Sequence, residues 1–232
     1  MTHSTVAIQS HDGKTFDGYL SLPPTGRGPG LVIIQEIWGV NAHIRAVADQ
    51  YALDGYVVIA PDIFWRQEAN VDLTYDEAGT KKAYQLLQGI NVPDAVADLV
   101  ATVQALRNLP EMTGQVGAVG YCMGGRLAYH LAASKSIETA VCYYGGGIQN
   151  DLNLATSIDV PILFHYGALD THIPATAVSA VKAAFDGRAN AQFNVYEDAG
   201  HGFNCWARPL YQQRTSALAH GRTLEWLSTH IR

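Results

Sequence analysis

The sequence is poor in cysteine. Three are present, Cys122, Cys142 and Cys205, among 232 residues. So sparse and odd a count, with no paired spacing, argues against a disulfide framework and against a zinc site. Charge is scarce too: Asp, Glu, Lys and Arg make up 16% of the chain, and the formal net charge is −6. No Lys/Arg cluster stands out from that acidic balance, which excludes nucleic acid and anionic membrane surfaces as expected partners. No apolar run approaches the length of a membrane span. The opening residues, MTHSTVAIQSHDGK, carry no basic stretch followed by an apolar one, so no signal peptide is expected. Internal repeats, low-complexity tracts and linker-like shifts in composition are lacking. These absences lead to the expectation of one domain over residues 1–232, resident in a reducing cytoplasm where a thiol stays usable.

What is present is an alternation. Hydrophobic residues make up 48% of the chain, enough for a large core in one α/β domain. Residues 6–9 and 15–22 read as an antiparallel hairpin around the turn His11-Asp12-Gly13. Pro23-Pro24-Thr25-Gly26 then breaks the chain. GLVIIQ, residues 30–35, is a continuous apolar run that suits a strand buried on both faces. A helix over 42–53 follows, with Asn41 as its cap and Gly55 as its stop. YVVIAPD (56–62) is a second buried strand, and helical patterns cover 75–88 and 93–109, with Pro93 suited to a first turn. Then come QVGAVG and its helix, the strands TAVCYYG and PILFHYG, a helix over 175–185, the strand AQFNVYE, and a long helix from about Pro209. Buried strands alternating with amphipathic helices predict a mostly parallel sheet with helices on both faces.

In such sheets ligands bind at the carboxyl ends of the strands. After GLVIIQ stands Glu36, followed by Ile37-Trp38-Gly39. After QVGAVG stands Cys122, in Gly120-Tyr121-Cys122-Met123-Gly124. Asp170 follows PILFHYG, and His201 follows AQFNVYE, in Gly200-His201-Gly202-Phe203. The chain order is nucleophile, acid, histidine, which is that of the α/β-hydrolase triad. Each type suits its task. A thiol in a tight turn at a helix N-terminus meets unpaired N–H groups and a positive dipole end, which favour a thiolate. A histidine within hydrogen-bond reach moves the proton, and a carboxylate fixes its tautomer. The N–H groups of Met123 and Ile37 are the expected oxyanion donors.

Plainer readings apply to the other candidates. Cys142 and His165 lie inside apolar strands and read as core, the histidine hydrogen-bonded. Cys205, four positions after His201, reads as packing. His43, His130, His172, His220 and His230 read as surface residues of helices or loops. Asp62 follows a strand that precedes the nucleophile, the wrong order for a triad acid. Glu197 and Asp198 read as a solvated turn. Glu36 stands apart, because a carboxyl beside a thiol would raise the cost of a thiolate and so gate the nucleophile.

Together, Q-E-I-W-G, G-Y-C-M-G-G, Y-Y-G-G-G, H-Y-G-A-L-D and A-G-H-G-F resemble the dienelactone hydrolase (carboxymethylenebutenolidase) family across nearly the whole chain. The resemblance implies an α/β-hydrolase fold, a monomer, and no metal or organic cofactor. It implies a Cys122–His201–Asp170 triad, with Glu36 tuning the thiol, and a small anionic enol-lactone of chlorocatechol breakdown as substrate, yielding maleylacetate. Tyr84 and Tyr144 match site tyrosines of the family. The substrate clamp departs from the pattern. Thr80, beside Lys81 and Lys82, stands where better-known members place an arginine, and Arg208 comes later after the histidine than the family's second arginine. Lys81, Lys82 and Arg208 are therefore the candidates for the substrate carboxylate. A lysine would offer a point charge where arginine offers a bidentate fork. This departure leaves room for another small ester or thioester as substrate; a non-catalytic thiol sensor is the reading from another class.

Overall fold

The computed structural model describes residues 2–232. β1 (Thr2–Gln9) and β2 (Thr15–Leu22) form the expected hairpin, with β1 beginning earlier than its pattern suggested. Gly13 at the turn has a φ of +82°, a left-handed conformation that favours glycine. β3 (Gly28–Ile34), β4 (Val57–Pro61), β5 (Met112–Tyr121), β6 (Thr139–Tyr143), β7 (Ile162–Gly167) and β8 (Ala191–Tyr196) complete one sheet in the order β1-β2-β4-β3-β5-β6-β7-β8. β2 joins β4 antiparallel, and every pairing from β4 to β8 is parallel. The apolar runs occupy the middle: Leu31, Val32, Ile33 and Ile34 are fully buried, as are Val57, Val58, Ile59 and Ala60.

The helices are α1 (Ala42–Leu53), α2 (Glu77–Gln88), α3 (Val92–Arg107), α4 (Met123–Ala133), α5 (Ala175–Ala184) and α6 (Gln213–His230). Asn41 caps α1 by accepting from the Ile44 N–H at 3.1 Å, and Gly55 beyond its end has a φ of +108°. α2 starts later than its apolar pattern alone suggests because Asp76 takes the cap position, accepting from the Gly79 N–H at 2.7 Å. α6 starts at Gln213 rather than near Pro209, since the stretch from Phe203 to Gln212 is tied as turns, with the Gln212 N–H donating to Phe203 O. Two short 3₁₀ turns, Ile148–Asn150 and Leu152–Ser157, follow β6 and had no clear sequence signal.

Alternation along the strands places helices on both faces. In β7, His165 meets Thr223 of α6 at 3.1 Å, while the preceding Phe164 meets the ring of Tyr129 in α4. Consecutive strand residues point to opposite faces, so α4 and α6 cover opposite sides. Tyr143 of β6 also bonds Thr223, at 2.7 Å. Among the described residues no helix is long and apolar enough to cross a membrane.

Candidate active site

β5 ends at Tyr121 and α4 begins at Met123, so one residue turns the chain. That residue is Cys122, with φ +57° and ψ −115°. A non-glycine residue held so far from the ordinary regions carries on the order of 1–3 kcal/mol of strain. The surroundings enforce it. The Cys122 N–H donates to Tyr143 O at 3.0 Å, and Cys122 O accepts from Gly125 N at 3.0 Å. A Cβ on Gly120 would fall 1.9 Å from Gly124 O, and one on Gly124 would fall 2.2 Å from Ile34 O. Both obstacles are backbone and cannot yield, so only glycine lets the turn close.

The structure brings the three widely separated candidates together. His201 Nε2 lies 3.1 Å from Cys122 Sγ, and His201 Nδ1 lies 2.8 Å from Asp170 Oδ2. The other Asp170 oxygen accepts from the N–H groups of His172 at 2.8 Å and Ile173 at 3.1 Å. The carboxylate is thereby fixed in one orientation with its back to the chain. Burial disfavours the His201 imidazolium, but hydrogen bonds and charge from Asp170 and Cys122 outweigh it and lift the imidazole to about 10.

A cleft of about 340 Å³ opens over this row, with Ile37, Met123, Tyr84, Cys122, His201 and Arg208 among its walls. Neither the Ile37 nor the Met123 N–H is engaged in a hydrogen bond among the described residues, so both are free to serve an oxyanion. The loop carrying Ile37 is pinned where it leaves β3, because Gln35 Oε1 accepts from the Ile63 N–H at 3.1 Å.

Arg208 is the cation at the cleft. Its guanidinium lies 4.5 Å over the Trp38 ring and 5.8 Å from the Tyr75 ring centre, and it makes no ion pair among the described residues. Lys81 is exposed and outside the cleft, and Lys82 is tied to Glu68 at 2.5 Å. Neither lysine is among the residues that line the cleft. α2 turns them outward, while Tyr84, one turn on, reaches the wall.

Glu36 is 1% exposed, and neither of its oxygens has a hydrogen-bond partner. Burial pushes its carboxyl up; Arg208, His201, Tyr144 and Cys205 nearby draw it back only in part. Tyr144 does not line the cleft. It lies behind it, with a φ of +36°, its ring edge-on to His201 at 5.1 Å and its hydroxyl buried without a partner.

Several residues stand differently from their sequence reading. His43, read as a surface residue, is 4% exposed because it falls on the buried face of α1. His130 is largely covered and bonds Asp151 at 2.9 Å. Cys142 and His165 are core, as read, with His165 Nδ1 2.8 Å from the Tyr196 hydroxyl. Asp62 is spent on the N–H groups of Phe64 and Asn70. Gln149, Asn150 and His172 line the cleft and were missed. The glycine run at 145–147 marks the turn that carries the first two, but nothing in it says which side chains face inward.

Comparison with known proteins gives this arrangement its relatives. The sequence model of the dienelactone hydrolase family matches residues 16–231. The chain is similar to a carboxymethylenebutenolidase of Pseudomonas putida, 36% identical over 96% of this chain and 95% of the relative. It is also similar to carboxymethylenebutenolidase 1 of Cupriavidus pinatubonensis, 32% identical over 98% of this chain and 97% of the relative. Among solved structures it superimposes on a candidate dienelactone hydrolase of Klebsiella pneumoniae with a TM-score of 0.86, at 27% identity and 99% coverage of both chains. An α/β sheet with its N-terminal hairpin, and a family match over nearly all of its length, lead to one conclusion: this chain is a hydrolase and belongs to the dienelactone hydrolase family.

Proposed function

We propose that this protein hydrolyses a small anionic enol-lactone, of the kind that yields maleylacetate, through a Cys122 thioester. The observation that carries the reading is the His201 imidazole, set between sulfur and carboxylate at 3.1 and 2.8 Å. In this mechanism His201 takes the thiol proton and Asp170 steadies the resulting imidazolium. The thiolate attacks the lactone carbonyl, and the Ile37 and Met123 N–H groups hold the oxyanion. The ring opens as the enolate leaves, and the His201 imidazolium gives the enolate the proton it took from sulfur, which returns the imidazole to its neutral form. His201 then draws a proton from water, which attacks the thioester and frees the sulfur. Glu36 tunes the resting thiol. Arg208 holds the substrate carboxylate, and Tyr84 shapes the mouth of the cleft.

Sulfur narrows the substrate range. A thiolate attacks well at modest pH but also leaves well, so a poor leaving group would expel it before the scissile bond breaks. An enol-lactone releases a stabilised enolate, and the forward path competes. The protein acts as a monomeric single domain without a cofactor, in the cytoplasm. The test is turnover of cis- and trans-dienelactone beside p-nitrophenyl acetate. Cys122→Ala is expected to lose turnover by roughly a thousandfold or more. Clean variant that keeps its lactonase activity would remove Cys122 from the mechanism. The second reading, a general small-ester or thioester hydrolase, draws on the outward turn of Lys81 and Lys82, which leaves Arg208 as the cation of the cleft. Equal or better turnover of the neutral ester would favour it.

A further inference from the structure

Beside the cleft lies a group of three donors, of which the proposed reaction uses only Glu36. Glu36, His43 and Cys205 each present one ligand-type atom, and these atoms lie within 4.8 Å of one another. The residues are 1%, 4% and 0% exposed. Both Glu36 oxygens and His43 Nδ1 are buried with no hydrogen-bond partner. Buried polar atoms in native proteins are almost always paired, so this many orphans in one spot mark lone pairs held ready for something. Cys205 Sγ touches the Tyr75 hydroxyl at 3.4 Å, and the Trp206 ring stands edge-on to His43 at 4.3 Å.

We propose that Glu36, His43 and Cys205 form a buried site for a borderline-soft divalent cation of the zinc kind. A thiolate sulfur, an imidazole nitrogen and a carboxylate oxygen are the donor set such an ion takes, whereas magnesium and calcium favour oxygen alone. Donor atoms around one tetrahedral zinc lie about 3.5 Å apart, so closing the site asks for a contraction of about 1 Å, within reach of side-chain rotation. The thiol gives up its proton to solvent as the ion enters, so affinity rises with pH. The Tyr75 hydroxyl, now an acceptor from the thiol, turns to donate to the thiolate and supports it from outside the ligand shell. Thiolate and carboxylate together balance the two charges of the ion. The filled site is therefore neutral toward Arg208, the adverse charge nearby. The ligands come from positions 36, 43 and 205, so cysteine spacing carries no signal of the site. It shares Glu36 with the proposed reaction centre but does not depend on the hydrolytic reading.

Cobalt(II) is the probe, since its thiolate charge-transfer and tetrahedral d–d bands report the ligands directly without reference to turnover. The full chain is titrated with cobalt(II), and also refolded in its presence because the site is sealed. One ion per chain is expected, with the sulfur band kept in Cys122→Ala and lost in Cys205→Ser. His43→Gln, checked for folding by circular dichroism, is expected to weaken binding by roughly tenfold or more, since even partners outside the ligand shell cost that much. It carries the test if Cys205→Ser fails to fold. A sulfur band lost in Cys122→Ala but kept in Cys205→Ser would overturn the site. So would the lack of one-to-one binding after refolding in the metal.

Discussion

Arg208 shows how one side chain can set selectivity. Its guanidinium is held against two aromatic rings and makes no ion pair among the described residues, so its donors remain available to the cleft. A cation held over ring faces keeps its charge while losing mobility. Arg208→Ala is expected to raise KM for carboxylate-bearing lactones by roughly tenfold or more, the size of one lost charge-assisted hydrogen bond, with little change for neutral esters. Steady-state kinetics on both classes check this, and equal effects would show that Arg208 does not hold the anion. The sequence left Lys81, Lys82 and Arg208 as rivals. They could not be ranked there, because the choice depends on which way α2 turns, and that follows from the Asp76 cap and the burial of Ala83 and Leu86.

At the scale of the element, the β5–α4 turn was fully legible, because steric demand writes itself as glycine. Gly120 and Gly124 flank Cys122 at the two places where a Cβ would strike backbone. Gly124→Ala is expected to push the N-terminus of α4 away from the end of β3, displacing Cys122 from His201. The measurement is alkylation of Cys122 by iodoacetamide beside lactone turnover, and both should fall together by roughly a hundredfold, as a misplacement of about 1 Å can cost. Unchanged alkylation would show that the helix accommodates the methyl group. The strands of the sheet were equally readable from their apolar runs, and so were Asp170 and His201 from their place after β7 and β8. Less readable were the 3₁₀ turns after β6, which put Gln149 and Asn150 at the cleft, and the burial of His43. Polar residues there carry no periodic signature, and their orientation is decided by tertiary contacts that no short window contains.

The whole molecule titrates in one direction on the alkaline side. His201 is raised to about 10 from an ordinary value near 6.5, so the folded state keeps a proton that the unfolded chain releases from about pH 6.5 upward. That stabilisation is complete below pH 6.5 and is lost as pH climbs through 10. Burial raises the Cys205 thiol to about 12 and the Cys142 thiol further still, so these too favour the folded state less and less above pH 9. Buried tyrosines add to the trend above pH 10. His43 and His165, which burial depresses to about 4 and 3, offset His201 near pH 6.5, so urea midpoints should fall from about pH 7, and more steeply beyond 9, with His201→Gln delaying the onset. A flat profile between pH 7 and 10 would contradict the proton count. The bridge from Thr223 to both Tyr143 and His165 extends this view to the far end of the chain. A protein cut short before Gln213 would strip the hydroxyl from beneath two strands that lead straight into the reactive loops. Damage to the tail would thus register as lost chemistry, although that last helix lends the cleft no wall of its own.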